Sequence, residues 1–267
     1  MEASKWIGPL MLGAALGALL WLERRQPLRP WRDPSRRRVA RNVAVGALTA
    51  VAVMPLEGAG TNALANAAER RHWGLVARLP LSDAAKTAVS VVLMDYTLYL
   101  WHILLHRVPL LWRCHAAHHA DLDLDVSTAL RFHFAELILS VPWRAARIVA
   151  LGVSREALSL WRMLTLLEVM FHHSNLRLPA RLENVLCRLI VSPRLHGIHH
   201  SVVAGQRNSN FSSGLTLWDF LHGTARLDVP QQSIAIGLPD YRSVDQVTLG
   251  RTLAIPFKPG AEEAGRT

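Results

Sequence analysis

The sequence contains little cysteine, and its cysteines are not spaced as a metal-binding or disulfide framework. Cys114 and Cys187 form no C-x-x-C pair, so the chain predicts neither a disulfide scaffold nor a cysteine zinc site. Cys114 precedes His115 and could serve as a ligand, but nitrogen ligands are already abundant there. Lone cysteines commonly pack as small apolar residues. We therefore favour a packing role for Cys114.

Negative charge is also scarce relative to positive charge. The chain carries 20 acidic and 30 basic residues, for a formal net charge of +10. An excess of positive charge is compatible with binding to nucleic acid, to an acidic substrate or to a membrane surface. The arginines crowd into residues 24–41, between two apolar runs, and no base-stacking aromatic motif accompanies them. This placement is typical of a membrane protein and excludes nucleic acid as the expected partner.

What the sequence has in abundance is apolar residues, 51% of 267, arranged in long runs. The runs cover Trp6–Leu22, Asn42–Leu56, Ala84–Leu105, Phe134–Val153 and Ala157–Phe171. Runs of this length predict membrane helices, the last two forming a hairpin around the break at Gly152. A polar loop and an interfacial amphipathic segment are expected after the second run. The positive-inside rule places the arginine-rich segment in the cytoplasm.

These runs predict one all-α structural domain, an integral membrane helical bundle with about four to five membrane helices or hairpins. Residues 1–83 are expected to form N-terminal spans and the interfacial segment. Residues 84–230 hold the histidine boxes. Residues 231–267 are expected to form a polar C-terminal tail, disordered from Lys258 onward. The protein is therefore predicted to be multi-pass, with its metal site on the cytoplasmic side.

Histidines are concentrated in three spaced groups. The groups are His102-x-x-x-His106, His115-x-x-His118-His119 and His196-x-x-His199-His200. Residues three and four apart lie on the same side of a helix, so each group can direct several nitrogens to metal. Unrelated surface histidines rarely produce two near-identical triplets. Because one zinc takes three or four ligands, the number of histidines predicts two metals, and imidazole ligands alone leave Fe, Zn, Cu and Ni open.

Two polar residues in the third apolar run are also candidates for the site. Asp95 lies about two turns before His102, at a depth where a carboxylate is costly and commonly functional. We expect it to orient a ligating histidine or to accept a hydrogen bond from Tyr99 or a ring N–H. The alternative is that Asp95 faces a water-filled cavity.

Together these motifs carry a resemblance to a known family. The motifs are Asp95, Tyr99, the three histidine groups, Arg131-Phe132-His133, His173-Ser174-Asn175, Pro193, Asn210, Trp218-Asp219 and Gly223-Thr224. Their order and spacing over residues 95–224 resemble the fatty acid hydroxylase and sterol desaturase superfamily, which consists of membrane-bound non-haem di-iron oxygenases. The first ninety residues add only compatible spans.

The resemblance implies a set of iron ligands and a reaction. The implied ligands are His102, His106, His115, His118, His119, His173, His196, His199 and His200. His173 is chosen over His172 because it directly precedes Ser-Asn. His133 is a weaker metal candidate, Asp95 and Tyr99 would support the ligands, and His222 is expected not to bind metal. No catalytic residues are expected beyond the ligands.

The implied activity is that of an oxidoreductase that hydroxylates or desaturates a lipid such as a sterol or fatty-acyl chain. The implied cofactors are two Fe ions, with O2 as co-substrate. Two electrons would come from a separate ferredoxin, cytochrome or flavoprotein reductase, which the basic cytoplasmic face could help to dock.

Two other classes of protein remain as alternatives. A membrane metal-binding or transport protein would use the histidines to store or relay zinc, but transporters usually place their ligands at the bilayer midplane. The histidine groups instead lie at span ends and beyond. A dizinc hydrolase would need bridging carboxylates, and the histidine boxes contain none.

Overall fold

The structure, a computed structural model, describes residues 3–258, and it describes the side chains of residues 10–56 and 60–258. The described chain is all-helical and contains no β-strand, only isolated bridges. The helices are α1 (Ala3–Arg25), α2 (Arg36–Arg70), α3 (Asp83–Arg107), α4 (Pro109–His119), α5 (Phe134–Leu139), α6 (Val141–Leu151), α7 (Arg155–His173), α8 (Ala180–Leu186), α9 (Pro193–His199), α10 (Ala204–Arg207), α11 (Leu217–His222) and α12 (Leu249–Ala254). The predicted all-α class is confirmed for these residues.

Two segments of the described chain are long and apolar enough to cross a membrane. They are Arg36–Leu56, the first part of α2, and Asp83–Arg107, which is α3. Both coincide with predicted spans. The span predicted over Trp6–Leu22 is helical, but its first residues lack described side chains. It stays a prediction.

Helix α2 differs from the prediction, because no loop follows Leu56. Ser35 caps the helix by accepting a hydrogen bond from the backbone N–H of Arg38, and the helix then runs for 35 residues through Pro55. Its second half is rich in alanine, the strongest helix former. That half also packs against α6 and α7, with Ala65 fully buried between Met94 and Ile148. Packing and propensity together outweigh the hydrogen bond lost at proline.

The predicted hairpin is built from three helices. The run Phe134–Val153 is divided at Ser140 into α5 and α6, because Pro142 at the start of α6 has no backbone N–H to continue the preceding helix. Gly152 ends α6 with a φ of 72°, and a Cβ there would collide with the backbone carbonyl of Trp73. Ser154 then caps α7, which runs back along α3.

The C-terminal segment also differs from the expected polar tail. Leu238, Val247 and Ile255 are fully buried in one cluster with Trp112 and Ala116 of α4. The apolar residues of this segment are too few and too scattered to form a span, but they suffice to cover α4. The remainder of the predicted tail, residues 259–267, lies outside the described residues.

A buried ion-pair network ties α2 to the segment that follows α4. The guanidinium of Arg38 donates to Oδ2 of Asp121 at 2.8 Å and also pairs with Asp125. Asn42 donates to the same oxygen of Asp121 at 2.8 Å. Although burial favours the protonated acid, Arg38 and Arg131 hold the pKa of the Asp121 carboxyl below its usual value. This network fixes the chain directly after His119.

We expect Arg38→Met to destabilise the protein strongly. Removing one partner of a buried ion pair leaves uncompensated carboxylates and typically costs about 3–5 kcal/mol. Arg38 is 1% exposed, whereas Arg37 beside it is exposed. Thermal unfolding in detergent should therefore show a large drop in midpoint for Arg38→Met and almost none for Arg37→Met. Similar midpoints for the two variants would show that the network contributes little.

Candidate metal centre

The structure gathers nine histidines into two adjacent buried clusters. The first cluster contains His102, His106, His115, His119 and His199, and the second contains His118, His173, His196 and His200. Within each cluster the ring nitrogens lie within 4.8 Å of one another. These nine are the residues that the resemblance implied. They come from five places in the chain: the ends of α3, α4 and α7, helix α9, and His200 directly after it.

Each H-x-x-H-H triplet is divided between the two clusters. In α4, His115 and His119 join the first cluster while His118 joins the second. In and after α9 the division is reversed, with His199 in the first cluster. Residues i and i+4 are about 40° apart around a helix, and residue i+3 lies about 60° to the other side of i. Each helix therefore faces the space between two sites.

The nitrogens of the second cluster converge closely. Nε2 of His173 lies 3.0 Å from Nε2 of His118 and 3.0 Å from Nε2 of His196. Nε2 of His200 lies 3.1 Å from that of His196. Nitrogens bound to one metal at about 2.1 Å are separated by similar distances. This convergence fits a cation-binding site.

Backbone carbonyls hold several rings in one orientation. The Nδ1 atoms of His102, His173 and His199 lie 2.7 Å, 2.7 Å and 2.8 Å from the carbonyl oxygens of Phe211, Val169 and Ser209. A neutral imidazole that donates from Nδ1 keeps its lone pair on Nε2. The carbonyls therefore direct three Nε2 lone pairs toward the cluster centres, as supporting groups do in metal sites.

Glu136 is a supporting residue that the sequence prediction missed. Its Oε2 atom lies 3.1 Å from Nδ1 of His115, and its side chain is 3% exposed. A carboxylate that accepts a ring N–H orients the histidine and raises its basicity. Its position in an apolar run, five residues after Arg131, gave no indication of this contact.

The loop before α11 has a structural role that its sequence pattern did not reveal. It supplies the carbonyls of Ser209 and Phe211, and Asn210 between them adopts a φ of 52°, which asparagine tolerates. Asp219 accepts the backbone N–H groups of Phe211 and Ser212 at 2.8 and 3.0 Å. The Asn210 and Trp218-Asp219 motifs thus fix the carbonyls that orient two histidines.

Asp95 and Tyr99 lie near this loop and do not contact a cluster histidine by hydrogen bond. Asp95 Oδ2 accepts the indole N–H of Trp218 at 2.8 Å and the backbone N–H of Leu215 at 3.0 Å. The hydroxyl of Tyr99 lies 3.0 Å from Oγ1 of Thr224. Both residues tie α3 to the segment around α11, and their support of the metal ligands stays a prediction.

Four further histidines lie outside the clusters, and one of them, His72, is exposed. His133 caps α5, with Nδ1 accepting from the backbone N–H of Ala135 and Nε2 lying 3.2 Å from the carbonyl of Leu253. With both nitrogens engaged, its ring has no lone pair for a metal. His172 lies beside the second cluster, with Nδ1 3.0 Å from the carbonyl of Ser213. His222 is exposed and pairs with Tyr96.

The histidines in and after α9 favour the neutral form, which is the form that binds metal. Burial lowers the pKa of His196, His199 and His200 well below its usual value, and neighbouring histidines lower it further. Several buried ring nitrogens also lack a protein partner, among them Nε2 of His199 and both nitrogens of His106. Buried polar atoms are normally satisfied. These orphaned nitrogens fit a metal.

A cavity of about 430 Å³ extends from the two clusters between α3, α6 and α7. His102, His115, His118, His173 and His196 lie at one end of it. Its walls are mainly apolar and include Leu98, Trp101, Leu105, Phe132, Trp143, Ile148, Leu158, Trp161 and Val169. Such a cavity suits a hydrocarbon ligand that reaches the clusters.

Fold and site together define a helical protein with two adjacent histidine clusters at the end of an apolar cavity. The family model described as fatty acid hydroxylase matches residues 87–224, just over half of the chain. The chain therefore belongs to the fatty acid hydroxylase and sterol desaturase superfamily, as the sequence motifs predicted.

Several curated proteins are similar to this chain. The ornithine lipid hydroxylase OlsE of Rhizobium tropici is 29% identical over 58% of this chain and 46% of its own length. Methylsterol monooxygenase 1-3 of Arabidopsis thaliana is 30% identical over 57% and 53%. Human alkylglycerol monooxygenase is 24% identical over 54% and 31%. The chain thus spans about half or less of these relatives. No solved structure matches it significantly.

Proposed function

We propose that the protein is a membrane-bound di-iron oxygenase that hydroxylates or desaturates a lipid with O2 and two electrons. The proposal rests on the two histidine clusters, which lie at the end of the apolar cavity. One cluster contains five histidines and the other contains four. The family to which the chain belongs includes relatives named as lipid hydroxylases and monooxygenases. For hydroxylation, one oxygen atom of O2 enters the C–H bond and the other leaves as water with two protons.

In this proposal the nine clustered histidines are the metal ligands. When bound, an iron pair supplies the O2-dependent oxidising power that breaks an unactivated C–H bond. The chain's own residues hold the rings in place through the carbonyls of Phe211, Val169 and Ser209. The cavity walls exclude water and position the hydrocarbon. A separate ferredoxin, cytochrome or flavoprotein reductase supplies the electrons.

The proposed setting is a multi-pass membrane protein whose clusters face the cytoplasm. Helix α3 and the first half of α2 supply two spans, and α1 and the α6–α7 hairpin supply the others. Exposed apolar side chains on α2, including Val51 and Met54, suit contact with lipid tails. Residues 1–83 anchor the protein, and residues 84–230 hold the site. The segment from 231 covers α4.

Zinc storage or transport and dizinc hydrolysis are the competing functions. Zinc transport would require a polar path through the protein, whereas the cavity leading from the clusters is mainly apolar. A hydrolase would use carboxylates at the metal. Glu136 instead contacts Nδ1 of His115, on the side of the ring away from Nε2.

The proposed function is tested by two measurements on the same protein. Metal analysis after anaerobic purification is expected to give two iron ions per chain. Mass spectrometry of lipids from cells with and without the gene is expected to show an O2-dependent gain of one oxygen or loss of two hydrogens. Stoichiometric zinc without an O2-dependent product would refute the oxygenase.

We expect Glu136→Leu to weaken metal binding without unfolding the protein. The substitution removes the acceptor for Nδ1 of His115, and losing a group that orients a ligand typically costs about 10–100-fold in metal affinity. Competition with a chelator measures this loss. Glu156→Leu, at an exposed position early in α7, is the control and should retain full affinity. Equal affinities would mean that Glu136 does not orient His115.

A further inference from the structure

The cavity also has a basic end, formed by arginines of α6 and of the first half of α7. Arg144 and Arg147 of α6 and Arg162 of α7 line it, together with Thr61 of α2. Arginine remains charged at any physiological pH, and charge is costly to bury unless it is paired. A cavity that served hydrocarbon alone would have no need of guanidinium groups.

Arg147 is buried, and no acidic partner for it occurs among the described residues. It is 7% exposed, its guanidinium lies over the Trp161 ring at 4.2 Å, and one nitrogen lies 3.4 Å from the hydroxyl of Thr97. Its Nε–H has no partner. Stacking on tryptophan fixes the plane of the guanidinium but does not neutralise its charge.

Among the described residues, the hydrogen-bond partners of Arg162 are likewise neutral groups. It donates to the amide oxygen of Asn62 at 3.0 Å and to the hydroxyl of Thr61 at 2.6 Å. Among the residues that the structure describes, no carboxylate forms an ion pair with Arg147 or Arg162. Glu136, an acidic residue that lines the same cavity, is engaged with His115.

We infer that the cavity binds a lipid with one acidic group, a carboxylate or phosphate, held by Arg147 and Arg162 while its hydrocarbon chain extends toward the histidine clusters. This inference rests on the proposed function, because it names the substrate class of the same site. Guanidinium groups bind carboxylate and phosphate through paired hydrogen bonds. An acidic group would satisfy the free Nε–H of Arg147 and compensate both charges.

The same geometry indicates where on the lipid the clusters act. Arg162 and His173 lie on one helix, eleven residues apart, so a rise of 1.5 Å per residue separates their backbones by about 16 Å. A lipid anchored at Arg162 therefore presents a carbon far along its chain to the clusters. The carbons adjacent to the acidic group remain at the basic end.

Binding of matched acidic and neutral lipids tests the inference without turnover. Metal-loaded protein in detergent, kept anaerobic and without reductant, is titrated with dibromostearic acid or its methyl ester, whose bromines quench tryptophans such as Trp101, Trp143 and Trp161. The acid should bind about 10–100-fold more tightly, the range for hydrogen bonds to charged groups. Phosphatidic acid and diacylglycerol, added as competitors, provide the same comparison for phosphate.

Arginine variants test whether Arg147 causes the tighter binding of the acid. Arg147→Gln should reduce the acid-to-ester ratio at least tenfold while ester affinity stays unchanged, and Arg147→Lys should retain part of the ratio. Arg155→Gln, at an exposed position outside the cavity, should retain all of it. Inorganic phosphate should not displace the lipid, since it lacks a chain.

Equal affinities of the wild-type protein for acid and neutral lipid in both pairs would overturn the inference, whether or not the variants fold. Displacement by inorganic phosphate at comparable affinity would also overturn it, by assigning the basic end to a free anion. The oxygenase is judged separately, from iron content and the O2-dependent product. Acid selectivity without such a product would refute the proposed oxygenase while supporting an acidic-lipid site.

Discussion

His199→Ala is expected to abolish O2-dependent lipid oxidation and to lower the iron content of the purified protein. His199 belongs to the five-histidine cluster, its Nδ1 is held by the carbonyl of Ser209, and its buried Nε2 has no protein partner. Removing it deletes a predicted ligand from the centre of the site. Membrane insertion should be unchanged, because the long apolar helices lie elsewhere in the chain.

The matched control is His222→Ala in the same C-terminal part of the protein. His222 is exposed and contacts Tyr96 outside both clusters. The His222→Ala variant should therefore retain its iron and most of its activity. If both variants lost activity equally, general loosening of this part of the chain would explain the effect. Full activity in His199→Ala would remove His199 from the ligand set.

Acidification is expected to release metal steeply, with several protons taken up for each metal lost. Imidazole binds metal only when it is neutral, so protons compete with metal at every ligand. Burial lowers the pKa of His118, His119 and His196 well below the usual value, so these rings stay neutral in the folded protein. The number of protons taken up per metal is obtained by measuring the metal that the protein retains after dialysis at a series of pH values.

The metal-free protein should also become less stable as the pH falls. Because the folded-state pKa of these histidines lies below the unfolded value of about 6.5, the unfolded chain binds more protons below that pH. Their contribution to stability is therefore complete above about pH 6.5 and decreases as the pH falls through the window below it. The loss is about 1.4 kcal/mol per pH unit for each histidine that charges on unfolding. A one-proton dependence of metal release would contradict multiple ligation. A one-proton dependence of stability would contradict the burial of several neutral histidines.

Local sequence patterns predicted the long helices but not the connections between them. Apolar runs located the span in α2 and helix α3, since burial of a whole helix surface leaves a continuous run of apolar residues. The continuation of α2 beyond Pro55 depended on packing against α6 and α7, which a local pattern does not contain. The same is true of the C-terminal segment, whose scattered residues Leu238 and Ile255 become core only when α4 lies beneath them.

The sequence by itself determined the all-α class, the family and the set of nine histidines that the structure brings together. Those features depend on residue type and short spacing, which the chain displays directly. Only the tertiary structure decided how the histidines divide into two clusters, that Glu136 reaches His115, and that Arg147 shares a cavity with the clusters. The physical reason is that these contacts join helices distant in sequence. Their geometry follows from packing angles and loop paths rather than from any local period.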